Sequence, residues 1–180
     1  MNSKFIQLIF VVETTKKAKT DYYYIKEILG KYYTIGNNKT SYVYMCGKHN
    51  YDKLSVTTEI IKLIREYKVT GGETIVVYVC DKDKNMSVPQ DFEFIRNLEI
   101  YCSSNNYKLT WFVTTVEEVM WGNKVPDDEK VTRALQFVTQ KGINKVKKSK
   151  LSAHSNVNSK GMSNILTNLD TIEEIAKKEI

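Results

Sequence analysis

The fold is decided by the stretch Thr74-Ile75-Val76-Val77-Tyr78-Val79-Cys80-Asp81-Lys82-Asp83, in which seven mostly apolar, β-branched-rich residues precede two aspartates. A continuous run of this kind predicts a strand that is buried on both faces, as in the interior of a parallel sheet. The carboxyl ends of such strands form the crevice in which open parallel sheets bind ligands. Asp81 and Asp83 are therefore expected at the carboxyl end of a central strand, where ligand-binding side chains commonly lie.

A second apolar run, from Lys4 to Glu13, is predicted to be the first strand, and it also ends in a carboxylate. An ionised carboxylate at the end of an apolar strand costs free energy to desolvate unless it is paired or bound to a metal. Two strands that end in this way within one small sheet indicate a shared acidic site.

Strands and helices alternate through residues 1–126, which we take as one domain core. Such alternation indicates right-handed βαβ crossovers, and we expect an α/β fold with a parallel sheet of about four strands and helices on both faces. Beyond the two runs above, the predicted elements are a helix from Thr20 to about Tyr33, a strand Ser41–Cys46, helices Asp52–Lys68 and Asp91–Ser103, a strand Lys108–Val113 and a short helix Val116–Trp121.

Residues 127–180 differ in composition and are predicted to form a helical, basic C-terminal extension, with helices over Asp128–Lys141 and Met162–Lys178. Between Lys130 and Leu169 there are eight Lys or Arg and no acid, whereas the rest of the chain has 21 acidic residues against 19 basic ones. A basic segment attracts polyanions through Coulomb attraction and counterion release. Nucleic acid is therefore the expected partner, with a solvated linker as the alternative; the predicted contacts are Lys145, Lys147, Lys148 and Lys150.

The carboxylates at the two predicted strand ends are the type of ligand that binds a hard divalent cation. Mg²⁺, or Mn²⁺ in its place, is held by a few carboxylates together with waters and substrate phosphates. Glu13, Asp81 and Asp83 are the predicted ligands, while Lys82 is expected to point the opposite way because side chains alternate along a strand. Such a cluster can orient water or exchange protons at a phosphodiester. A solvated turn at Asp81–Asn85 is the alternative.

Other features limit the class of protein. No stretch approaches the length of about 20 apolar residues that spans a bilayer, and no signal-peptide cleavage site follows the first strand, so no membrane association is expected. Three cysteines without CxxC spacing favour a reducing cytoplasm. The phosphate-binding motifs GxxxxGK[ST] and GxGxxG are absent from the sequence, so an ATPase activity would come from a partner.

The order of these motifs resembles the RloB-like proteins, a Toprim-fold family of bacterial anti-phage and abortive-infection systems that often stand beside an ATPase partner. The resemblance spans roughly residues 4 to 125. It is carried by four segments: Val11-Val12-Glu13, Lys19-Thr20-Asp21-Tyr22-Tyr23, Val79-Cys80-Asp81-Lys82-Asp83 and Phe112-Val113-Thr114-Thr115-Val116-Glu117-Glu118-Val119-Met120-Trp121.

This resemblance implies a Mg²⁺-dependent nuclease of Toprim type in phage defence. Glu13 would serve as general acid or base, Asp81 and Asp83 would bind metal, and Glu118 would be an accessory acid. The resemblance does not choose between RNA and DNA. Assembly into a homo-oligomer is left open.

Two other functions fit the same residues. A haloacid-dehalogenase-type phosphatase also places a D-x-D after a hydrophobic strand, with Asp81 as covalent nucleophile, and Leu109–Thr115 is similar to its second motif of apolar strand plus Thr. A non-catalytic module would bind metal weakly and dock a partner through the basic tail or the last predicted helix, Met162–Lys178.

Overall fold

The computed structural model describes residues 5–82, 89–154 and 157–179. The strands, in chain order, are β1 Ile6–Val12, β2 Tyr33–Thr34, β3 Lys39–Tyr44, β4 Glu73–Lys82, β5 Lys108–Val113 and β6 Ala176–Lys177. Four parallel strands form one sheet in the order β3-β1-β4-β5, which confirms the predicted α/β fold and parallel sheet. The two short strands β2 and β6 pair with each other in antiparallel fashion.

Strands β1 and β4 occupy the centre of the sheet, and every residue of β1 is buried. Their parallel register pairs Val12, the last residue of β1, with Val79, three residues before the end of β4. The hydrophobic run predicted for β4 continues two residues further than expected, to Lys82. The register therefore brings the residue after β1, Glu13, close to the end of β4.

Helices cover both faces of the sheet because alternate residues of the central strands point to opposite sides. The helix bounds are α1 Thr20–Tyr32, α2 Leu54–Lys68, α3 Pro89–Ser104, α4 Val116–Trp121, α5 Lys130–Thr139, α6 Lys148–Leu151 and α7 Ile165–Leu169. Leu8 and Phe10 pack with α1, α4, α5 and α7, whereas Ile9 and Val11 pack with α2 and α3.

The helix predicted over Met162–Lys178 is wrong. The chain forms only the five-residue α7 there and then β6, which pairs with β2. The cause is the edge strand β5, whose exposed backbone groups need partners. Trp111 N–H donates to Asn164 Oδ1 at 2.8 Å, and Asn168 Nδ2 donates to the Leu109 carbonyl at 2.6 Å. The polar side chains of this segment therefore complete the sheet edge instead of facing solvent along a helix.

Residues after Pro126 pack against the same core as the sheet. Phe137, Ile143 and Leu169 belong to one hydrophobic cluster with β1 and α1. The C-terminal residues also bind the end of α1, where Lys178 N–H donates to the Tyr32 carbonyl at 2.9 Å. Within the described part of the chain, no helix has the length and apolar character needed to cross a membrane.

Candidate functional site at the carboxyl edge of the sheet

Glu13 and Asp81 lie together at the ends of the two central strands. The backbone N–H of Asp81 donates a hydrogen bond to Glu13 Oε1 at 2.5 Å. This contact follows from the parallel register of β1 and β4, which brings residues from both strand ends to one edge. Asp83, the third ligand predicted from the sequence, lies outside the described residues.

Helix α4, which follows β5, contacts the Asp81 carboxylate through its first residue. Asp81 Oδ1 accepts a hydrogen bond from the N–H of Val116, the first residue of α4, at 2.9 Å. Thr115 caps this helix, and its hydroxyl accepts from Glu118 N–H at 3.2 Å. Thr114 has a positive φ of 75°, which turns the chain sharply between β5 and α4. The turn thus fixes the start of α4 against the Asp81 carboxylate.

The charges of two further acids act on Asp81, and the sequence did not identify them as site residues. Asp21 lies in the first turn of α1, and its Oδ2 accepts a hydrogen bond from Thr14 N–H at 3.2 Å. Glu117 is 2% exposed, and its Oε2 has no hydrogen-bond partner among the described residues. Four carboxylates, from the end of β1, α1, β4 and α4, therefore act on one another electrostatically, and we call them the acidic cluster: Glu13, Asp21, Asp81 and Glu117.

The acids of this cluster oppose one another's ionisation. Burial raises the pKa of Asp81 well above its ordinary value, and the negative charges of Glu13, Asp21 and Glu117 raise it further. Burial likewise raises the pKa of Asp21 to about 6, although the hydrogen bond from Thr14 opposes the change. Carboxylates crowded in this way gain from a nearby cation, because it offsets both desolvation and mutual repulsion.

One basic side chain contributes positive charge to the cluster. Burial lowers the pKa of Lys130, but the hydrogen bond to Asp127 and the charges of Glu117 and Asp81 outweigh it and raise the pKa above its ordinary value. Lys130 Nζ lies 2.9 Å from Asp127 Oδ1. The start of α5 therefore carries a cation that stays protonated beside the acids.

Lys82 points away from the cluster, as the alternation along β4 predicts. Its Nζ donates to the Val157 carbonyl at 3.2 Å and lies 5.5 Å from the centre of the Trp111 ring. Burial lowers the pKa of this ammonium group. Lys82 thus belongs to the opposite face of the sheet.

Glu118, the accessory acid predicted from the sequence, occupies a different position from Glu117. Glu118 Oε1 pairs with Lys160 Nζ at 3.1 Å. Burial is the main cause of the raised pKa of Asp81 and Asp21, and of the two α4 glutamates it is Glu117 whose charge adds to that effect. Successive residues of a helix point about 100° apart, so Glu117 and Glu118 have different surroundings, and the sequence does not indicate which of them acts on Asp81.

The residues present suit a hard divalent cation. Across the described ranges, no three His, Cys, Asp or Glu side chains form a group that could hold a metal ion by themselves. Mg²⁺ is commonly held by only one or two carboxylates, with waters and substrate phosphates completing its shell. The Glu13 and Asp81 carboxylates provide that number, and the unsatisfied Oε2 of Glu117 adds negative charge behind them.

The four predicted nucleic-acid contacts divide into two groups. Lys145, Lys147 and Lys150 line a cavity of about 330 Å³ between α4, α5 and α6. Lys148 instead places its Nζ 5.9 Å from the centre of the Tyr32 ring. Only three of the four lysines therefore share a concave surface.

The fold and site together define an α/β protein with a parallel sheet and an acidic cluster at its carboxyl edge. No family model matches the chain, and neither a search of curated proteins nor a search of solved structures found a match. The function is therefore inferred from the residues of the site.

Proposed function

We propose that this protein is a metal-dependent nuclease of Toprim type that cleaves phosphodiester bonds of RNA or DNA. The observation that supports the proposal is the contact between Glu13 and Asp81 at adjacent central strand ends, with Asp21 and Glu117 behind them. Mg²⁺ or Mn²⁺ is the proposed cofactor. The resemblance to RloB-like proteins supports a role as the cytoplasmic effector of an anti-phage system, with an ATPase as partner.

Glu13 and Asp81 are the proposed ligands that the structure describes, and Asp83 is the third. A bound Mg²⁺ would polarise a phosphate oxygen and lower the pKa of a water molecule. The protein orients the ligands through its backbone, since Asp81 N–H holds Glu13 and Val116 N–H holds Asp81. These bonds restrict the carboxylate rotamers before any substrate arrives, which reduces the cost of assembling the site.

Glu13 is the proposed general acid or base. Its carboxylate lies at the sheet edge, and a carboxylate in that position can accept a proton from a water that attacks a phosphodiester. Lys130 supplies positive charge from α5, where it balances the repulsion among the acids. It also favours the approach of an anionic phosphate to an otherwise negative edge.

The nuclease proposal is tested with labelled single-stranded and duplex RNA and DNA in the presence of Mg²⁺ or Mn²⁺. A generic phosphomonoester is assayed in parallel. The variants are Glu13→Gln and Asp81→Asn, and the matched control is Glu59→Gln on the exposed side of α2. Cleavage of a polymer that is lost in both site variants and kept in the control supports the proposal.

The other outcomes point to the alternatives. Phosphate release from the monoester that depends on Asp81 indicates a haloacid-dehalogenase-type phosphatase. Absence of both activities, in a chain that is folded and saturated with Mn²⁺, indicates a non-catalytic module that binds nucleic acid or a partner. Either result overturns the nuclease proposal.

A further inference from the structure

A cavity of about 330 Å³ lies at the opposite end of α4 from the acidic cluster. Its apolar wall includes Met120 and Trp121 of α4 and Phe137 of α5. Lys145, Lys147 and Lys150 provide its cationic rim, and no Asp or Glu is among the described residues that line it. The cavity therefore combines a positive rim with an apolar interior.

These two properties select the chemistry of a ligand. Three ammonium groups favour an anion, and phosphate is the biological anion that lysines commonly bind as point charges. The apolar wall favours a ligand that also carries a flat, poorly solvated group. The volume lies at the small end of the range for ligand pockets, about 300 to 1,000 Å³, so it suits one nucleotide and excludes a duplex.

The aromatic wall is held in place by the surrounding structure. Trp121 Nε1 donates to the Tyr24 hydroxyl at 3.1 Å, and the Arg133 guanidinium lies 5.7 Å from the centre of the indole ring. A Cβ at Gly142 would lie 2.5 Å from Phe137 Cδ2, so this glycine leaves room for the phenyl ring. The wall is thus preformed, and ligand binding would not have to order it.

The position of the cavity relates it to the acidic cluster. Val116, at the start of α4, contacts Asp81, and Trp121, at its end, lines the cavity. A helix rises about 1.5 Å per residue, so these two residues are roughly 8 Å apart along the axis. Neighbouring nucleotides of one strand can occupy both places at once.

We propose that this cavity is a nucleotide subsite for single-stranded nucleic acid. The base packs against Trp121, the partly exposed side chain of the apolar wall, which the buried Met120 and Phe137 support from the core, and the phosphate is bound by Lys145, Lys147 and Lys150. The identity of the ligand as part of a substrate rests on the proposed nuclease function. Binding itself requires no metal, because no residue of the acidic cluster lines the cavity within the described part of the chain.

The experiment uses the full chain labelled with 5-fluorotryptophan, which gives one ¹⁹F NMR signal for each of its two tryptophans. Trp121 lines the cavity, whereas Trp111 is buried on the opposite face of the sheet. The signals are assigned with Trp111→Phe. Titration is carried out in EDTA with 5′-AMP, adenosine, ribose 5-phosphate and a short oligodeoxythymidylate.

We expect AMP and the oligonucleotide to shift the Trp121 signal saturably and to leave the Trp111 signal in place. Adenosine and ribose 5-phosphate should each bind about tenfold more weakly or worse, since each lacks one half of the recognised group. Alanine at Lys145, Lys147 or Lys150 should weaken AMP binding by about three- to tenfold. Lys148→Ala removes the same charge from the same segment and should leave AMP binding unchanged.

The subsite is overturned by a Trp121 signal that does not move, by equal affinity for ribose 5-phosphate and AMP, or by an equal loss of affinity in Lys148→Ala. Thermal unfolding of each variant shows whether it remains folded, and the rim lysines can also be changed to glutamine. Failure here is distinct from failure of the nuclease proposal. If the protein binds AMP but cleaves no polymer, the cavity is still a nucleotide site and the nuclease proposal fails. If it cleaves a polymer without binding AMP, only the subsite proposal fails.

Discussion

The backbone N–H of Asp81 binds the carboxylate of Glu13 at 2.5 Å, across the boundary between the two central strands of the sheet. This bond joins a side chain to a main-chain group, so a neutral amide at either position can keep the local hydrogen bonds. Gln at position 13 retains an acceptor for Asp81 N–H, and Asn at position 81 retains one for Val116 N–H. The charge of the cluster can therefore be changed separately from its fold.

The affinity for a divalent metal ion should fall when the negative charge of the acidic cluster is reduced. Mn²⁺ should raise the melting temperature of the native chain at pH 7.5, because an ion that binds only the folded state stabilises it by mass action. Glu13→Gln and Asp81→Asn should each weaken Mn²⁺ binding by about tenfold or more, since each removes one proposed ligand charge. Calorimetric titration and thermal unfolding provide the two measurements, with Glu59→Gln as control. Unchanged Mn²⁺ affinity in both variants would place the ion elsewhere.

The stability of the metal-free protein should depend on Asp21. The pKa of this carboxyl is about 6 in the folded chain against an ordinary 3.8. Between these values the folded state binds more protons than the unfolded state, so this group lowers stability as pH rises through the window. Its unfavourable effect is complete above about pH 6 and absent below about pH 3.8.

Asp21→Asn removes that effect and keeps an acceptor for Thr14 N–H. In EDTA it should therefore raise the free energy of unfolding at pH 7.5 by on the order of 1 to 3 kcal/mol. The gain should shrink as pH falls toward 4. Urea unfolding at several pH values measures it, and Asp52→Asn on the exposed surface is the control. A gain that does not vary with pH would contradict a raised pKa at Asp21.

The two neighbouring glutamates of α4 should behave differently. Glu117→Gln should reduce cleavage by about tenfold or more, because of the two α4 glutamates Glu117 is the one whose charge acts on Asp81. Glu118→Gln should change cleavage by less than about threefold, since it alters the pair with Lys160, which is 58% exposed. Initial rates on one labelled substrate compare the two variants. Equal losses would mean that the orientation of α4 does not matter for the reaction.

Much of the sheet could be predicted because its signals are local. The uninterrupted apolar run of β4 and the run that ends in Glu13 indicate central strands, and Lys108–Val113 and Val116–Trp121 form the strand and helix expected there. The approach of Glu13 to Asp81 follows from the pairing of parallel strands. These features depend on residue patterns within one or two elements.

The remaining features depend on contacts between distant segments. Asp21 belongs to the site because α1 packs its first turn beside Thr14, and Glu117 because Val116 N–H fixes α4 against Asp81. The expected helix over Met162–Lys178 gives way to bonds between Asn164, Asn168 and β5. An amide side chain that completes a sheet edge has no periodic signal in the sequence.

Asn168 should accordingly contribute to stability. Its Nδ2 donates to the Leu109 carbonyl at 2.6 Å and to Thr110 Oγ1 at 3.0 Å. Asn168→Ala leaves these edge groups without the amide and should lower the free energy of unfolding by about 1 to 3 kcal/mol. Urea unfolding measures the change, and Asn144→Ala at an exposed position is the control. A loss no larger than in the control would mean that water replaces the amide at this edge.

The basic segment should govern the salt dependence of nucleic-acid binding. Replacing Lys147, Lys148 and Lys150 together by alanine should weaken binding and flatten the dependence of log K on log salt, because fewer counterions are released. For single strands each lost phosphate contact lowers the slope by about 0.7. Lys147 and Lys150 line the cavity and Lys148 does not, so Lys148→Ala should account for the smallest part of the change. Fluorescence anisotropy with a labelled oligonucleotide at several salt concentrations measures the slope, and an unchanged affinity in the triple variant would remove this segment from the nucleic-acid interface.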